Sequence, residues 1–164
     1  MTKILAIETA TEACSAALLV DDEIQECFEI APRRHTNLIL PMIAELLADA
    51  ELPVQNLSAV AFGAGPGSFT GVRVATSVAQ GIAIAHDLPV VPLSCLAMLA
   101  IGGAEVHNCS TIVPVMDARR REIYFAVYRV DVKTKVAKVL IPDTVSAPEN
   151  LSPPNDSNCV VIGA

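Results

Sequence analysis

The alternation of apolar and polar residues opens as a β-meander. Residues 4–7 form a short apolar run that ends at Glu8, a turn follows over residues 9–12, and a second run spans 14–20. The acidic pair Asp21-Asp22 makes a tight turn into a third run, residues 24–30. From residue 37 to 50 the period changes, and Leu38/Ile39, Met42/Ile43, Leu46/Leu47 and Ala50 recur on one helical stripe. Thr36 or Asn37 is placed to cap this helix; Pro41, which lacks an N–H, predicts a kink or a start just before it. Residues 57–62 read as a buried strand that runs into a glycine-rich turn, Gly63 to Gly71, and a second helix continues to about His86. Residues 89–93 read as a further strand, Ser94 as the cap of a short helix, and Gly102-Gly103 as its stop. Helix alternating with strand implies parallel strands joined by crossovers.

The meander pattern then returns. Residues 112–116 are apolar and end at Asp117, 118–121 turn, 122–130 and 136–141 read as strands, and 131–135 turn between them. Sliding the first segment by 109 positions lays Glu8 on Asp117 and residues 14–20 on 123–129. This weak internal repeat places a carboxylate at the end of the first strand in each half. Two such units, each opening a lobe, predict an α/β, actin-like ATPase fold with lobe I over residues 1–104 and lobe II over 105–164. A Pro-rich stretch (Pro142, Pro148, Pro153, Pro154) leads to a last strand at 159–162, with no covering helix after it, so lobe II is expected to be incomplete.

Composition narrows the function. Hydrophobic residues are 52% and charged residues 18% of the 164, which is a globular balance. No apolar run approaches the roughly 18 residues that span a bilayer, and the N-terminus lacks a signal-peptide layout, so a cytoplasmic protein is expected. Five cysteines, odd in number and set among aliphatic residues, suit reduced, buried thiols better than a disulfide framework. The net charge of −7 makes the chain a poor direct RNA binder, because Lys and Arg supply most nucleic-acid affinity.

The motifs exclude several chemistries. The glycine-rich turn is not a P-loop, since no Lys occurs between Lys3 and Lys133, and its spacing fits neither G-x-G-x-x-G nor G-x-S-x-G. It can hold an anion on backbone N–H groups or serve as a tight turn that lets a helix pack close to the sheet. Glu8 and Asp117 can hold a metal-nucleotide between lobes or accept hydrogen bonds in turns. The three histidines lack a second ligand at metal spacing. Arg119-Arg120-Arg121, the one dense basic run, reads as a solvated turn that can also touch a phosphate. In the helix from 71 to 86, Gly71, Ala75, Ala79 and Ala83 form a small-residue stripe that admits a close helical neighbour.

Ile4-Leu5-Ala6-Ile7-Glu8-Thr9-Ala10-Thr11, His35-Thr36 and above all Gly65-Pro66-Gly67-Ser68-Phe69-Thr70-Gly71-Val72-Arg73 resemble the TsaB (YeaZ) family. Met116-Asp117-Ala118-Arg119, followed by Glu122-Ile123-Tyr124, is similar to that family's second meander. The resemblance covers the whole chain. It implies the actin-like (ASKHA) fold and a non-catalytic subunit needed for threonylcarbamoyl transfer to the adenosine beside the anticodon of tRNAs that read codons beginning with A. It further implies that the chain binds and activates TsaD, a paralogue, together with the ATPase TsaE, that it pairs with itself when alone, and that tRNA is reached only indirectly. TsaD carries His-Met-Glu-Gly-His where this chain reads Cys95-Leu96-Ala97-Met98-Leu99, so no metal and no catalytic residue are expected.

The expected partner surface is built from Leu38, Met42, Glu45 and Leu46 of the first helix. Gly71, Val72, Ala75, Ala79, Ile82 and Ala83 of the second complete it. No cofactor is expected beyond weak ATP or ADP at Glu8, Thr9, Thr11, Gly65, Gly67 and Asp117, because Ala10 stands where actin-like ATPases usually place Gly. The competing reading is a stand-alone actin-like kinase or ATPase that uses Glu8 and Asp117. A hydrolase is a third, with no motif behind it.

Overall fold

In the computed structural model, which describes residues 2–154 and 158–163, the first meander forms β1 (Lys3–Glu8), β2 (Ala13–Val20) and β3 (Glu23–Ile30). Helix α1 (His35–Asp49), strand β4 (Ala59–Gly63), helix α2 (Phe69–His86) and strand β5 (Val90–Leu93) follow. The strand order is β3-β2-β1-β4-β5, with β1 antiparallel to β2 and parallel to β4. Helix α1 packs on β2 and β3, and α2 on β4 and β1. Leu5, Ile7, Val60, Ile39, Leu46 and Ala79 meet in the core between them. Apolar burial of this kind is the main driving force for the unit.

Helices α1 and α3 each differ from the sequence reading at one end, for a physical reason, and the strands expected at 112–116 and 136–141 run on to Arg119 and, past Pro142, to Ser146. Helix α1 starts at Arg34–His35, with no side-chain cap, and runs through Pro41. The carbonyl that Pro41 deprives of a donor belongs to Asn37, which is exposed and open to water. Helix α3 (Cys95–His107) does not stop at Gly102-Gly103; Asn108, at φ 50°, ends it. A Cβ on Gly103 would collide with Ile162, so that glycine serves helix–sheet packing instead of a helix stop.

Helix α3 also moves the expected domain boundary. The chain divides between Leu93 and Ser94, and α3 packs on the second sheet. That sheet holds β6 (Thr111–Arg119), β7 (Glu122–Asp131), β8 (Val136–Ser146) and β9 (Cys159–Gly163) in the order β8-β7-β6-β9. Here β6 is antiparallel to β7 and parallel to β9, the same arrangement as β1 with β2 and β4. The repeat suspected from sequence is thus a repeat of topology. Ser94 caps α3 by accepting the Ala97 N–H, and its hydroxyl donates to Asp143 of β8 at 2.8 Å. Tyr128 of β7 donates to the same carboxylate at 2.8 Å. No helix among the described residues is long and apolar enough to cross a membrane.

Candidate functional site

The turn after β1 is held from three sides. Glu8 Oε1 accepts the Ala10 N–H at 2.5 Å, the Ala10 carbonyl accepts the Ser68 N–H at 2.7 Å, and Thr9 Oγ1 donates to the Gly71 carbonyl at 2.7 Å. Thr11 Oγ1 accepts the Ala13 N–H, which closes the entry to β2. Thr9 and Ala10 are buried. The glycines of the following loop make this possible. A Cβ on Gly67 would strike Ala10, and one on Gly71 would strike the Thr9 carbonyl. Close packing, one of the two readings of the glycine-rich run, is met at Gly67 and Gly71. Gly65 has φ +98°, a backbone conformation that favours glycine.

Asp117 repeats the arrangement in the second unit. Its Oδ1 accepts the Arg119 N–H at 2.7 Å, two residues on, just as Glu8 holds Ala10. Its Oδ2 pairs with the Arg119 guanidinium at 3.0 Å. Both carboxylates therefore hold the backbone two residues on, Glu8 in the turn after β1 and Asp117 at the bulge within β6. Among the described residues, no three His, Cys, Asp or Glu side chains gather to hold a metal ion.

The expected helix surface is redrawn by burial. Gly71, Ala75, Ala79 and Ala83 are buried against the chain's own sheet, Ala75 and Ala79 at 0% exposure. Met42 and Leu46 likewise face inward from α1. Those six are core: small residues bring α2 close to β1 and β4, not to a second molecule. Glu45 is exposed, while Leu38, Val72 and Ile82 are half-buried.

What α1 and α2 turn outward is a groove of about 320 Å³ lined by Thr36, Ile39, Leu40, Phe69, Arg73 and Val74, with Thr70, Ser77 and Val78 completing it. Leu40 is 55% and Phe69 73% exposed, and the Arg73 guanidinium stacks on the Phe69 ring at 3.3 Å. At the head of α1, His35 Nε2 is buried with no hydrogen-bond partner among the described residues. Sequence reasoning passed over Leu40 and Phe69. The signal was there: both are large apolar residues lying off the inward stripes of their helices.

Residues 28–158 match the family model described as TsaD, tRNA N6-adenosine threonylcarbamoyltransferase. The tRNA threonylcarbamoyladenosine biosynthesis protein TsaB of Haemophilus influenzae is 50% identical over 123 residues, 75% of this chain and 52% of the relative. The protein of that name from Escherichia coli is 43% identical over 129 residues, 79% of this chain and 56% of the relative. The chain thus spans about half the length of these curated relatives. The solved structure of YeaZ from Pseudomonas aeruginosa superposes with a TM-score of 0.92 at 36% identity, covering 99% of this chain and 75% of that one. With its paired meanders, its glycine-packed turn and these likenesses, the chain belongs to the TsaB (YeaZ) family and has the actin-like fold.

Proposed function

We propose that the chain is a cytoplasmic accessory subunit of tRNA threonylcarbamoyladenosine biosynthesis that docks onto a TsaD-type paralogue and supports its transferase activity, with a TsaE-type ATPase as further partner. The observation that carries this reading is the apolar groove between α1 and α2, flanked by the exposed side chains of Leu40 and Phe69. Large exposed apolar side chains beside a groove are the usual anchors of a protein interface. The partner surface is the outward one: Thr36, Leu40, Glu45, Phe69, Arg73 and Ser77, with Leu38 and Val72 at its margin. Chemistry is assigned to the partner, because Cys95 and Leu99 stand where the paralogue's two histidines hold metal.

The stand-alone kinase reading gains nothing from the geometry. Glu8 is committed to the Ala10 amide and Asp117 to the Arg119 amide. The test is a pull-down of the TsaD-type partner by this chain, followed by reconstituted tRNA modification with each component left out in turn. Loss of modification when only this chain is omitted is the expected result. Full modification without it, or turnover of ATP on a small-molecule acceptor by this chain alone, would refute the assignment.

A further inference from the structure

The β6–β7 hairpin breaks its local rule. Arg119 pairs with Glu122 across a two-residue loop, Arg120-Arg121. Both loop residues have positive φ, 54° and 66°, as a type I′ turn requires, and Arg119 before them has φ 68° at a β-bulge. Asn-Gly is the ordinary occupant of such a loop, since long side chains resist this backbone conformation. Three consecutive arginines held there are a departure of the kind found where a site is served at the expense of local preference. All three are exposed. Asp117 ties down Arg119, and no carboxylate pairs with Arg120 or Arg121 among the described residues.

The charge of the chain is distributed to match. The first unit carries four of the 11 Lys and Arg and eleven of the 18 Asp and Glu, whereas the second carries seven of each. The whole −7 excess therefore lies in residues 1–93, and the second unit is neutral with its densest cations on one hairpin tip.

We infer that the Arg119-Arg120-Arg121 tip is a contact for the phosphate backbone of RNA, made by this chain within the modifying assembly. Guanidinium groups match phosphate oxygens two bonds at a time, and a rigid turn presents them at little entropic cost. The inference rests on the reading of the chain as part of a tRNA-modifying complex.

The experiment uses the full chain assembled with its TsaD-type partner and a labelled, unmodified tRNA transcript. The variant R120N/R121G removes two cations while installing the dipeptide the turn prefers, so its melting temperature should equal or exceed that of the parent. Its tRNA affinity at about 0.1 M salt should fall roughly tenfold, and the salt dependence of log K should become shallower by about two. R120K/R121K should keep most of both. Unchanged affinity and slope in R120N/R121G overturn the inference, as does a loss of equal size in the lysine variant. A variant that binds tRNA normally but releases its protein partner overturns it in favour of an acidic protein surface. Assembly is measured first, by light scattering. A parent chain that fails to assemble sinks the proposed function, whereas an intact assembly with unaltered RNA binding sinks only the hairpin's role.

Discussion

Glu8 and Asp117 show how a carboxylate can be placed near a strand end from sequence and still be open in role. Glu8 ends β1, whereas Asp117 lies within β6, two residues before its end; each holds the amide two residues ahead. For Glu8 the consequence is that the Ala10 N–H, a natural phosphate donor in a turn of this kind, is already engaged. Isothermal calorimetry with ATP on the isolated chain should accordingly give a Kd on the order of 0.1 mM or weaker, a free energy of only ~5 kcal/mol. Micromolar affinity with steady turnover would restore the kinase reading. Tyr128 supplies a second test. Its phenol is pushed above its ordinary pKa by burial first; the Ser94 hydrogen bond opposes that shift and the Asp143 carboxylate adds to it. A group raised on folding contributes stability that is complete below its unfolded pKa of about 10 and is lost as pH climbs through the folded value. Urea midpoints of the parent should therefore fall as the solution is taken past pH 10. Tyr128→Phe should flatten that decline, while costing about 1 kcal/mol at neutral pH through the lost bond to Asp143.

At the scale of the element, α2 divides cleanly into an inward and an outward stripe. Ala79 lies at 0% exposure against the sheet. Ala79→Arg would bury a charge with no partner, which costs several kcal/mol, and circular dichroism should show an unfolded or aggregated protein. Leu40→Arg, on the groove, should instead leave the fold intact and weaken partner capture. A folded Ala79→Arg variant would mean the stripe is not core. The helices themselves were legible from periodicity, because an apolar stripe at 3.6 spacing has few other homes. Their polarity was not. Gly71, Ala75 and Ala79 read equally well as a seat for a neighbouring helix or for the chain's own sheet, and only the position of β1 and β4 decides between them. Gly102-Gly103 misled for a related reason: the sequence does not reveal that Ile162 needs the room.

For the whole molecule, the apolar groove should set how the chain behaves on its own. A second copy offers the same surface, so an isologous dimer should form as concentration rises, and light scattering should register the doubled mass. Leu40→Arg should hold the chain monomeric across the same range, and an unaltered dimer in that variant would place the contact elsewhere. The repeated topology carries a different kind of consequence, for the order of events as the chain folds. In each unit the central strand has one neighbour that follows it directly, β2 beside β1 and β7 beside β6, and another reached only after a long excursion, β4 and β9. The hairpin side closes a short loop, whereas the parallel side must bring together segments as distant as Thr111 and Cys159. Loop closure makes the first fast and the second slow. Each half of the protein therefore has a quick side and a late side. Of the two late strands, β9 at a sheet edge should exchange its amide hydrogens early when the native state opens, whereas β4, buried and paired on both sides, should exchange only with global unfolding.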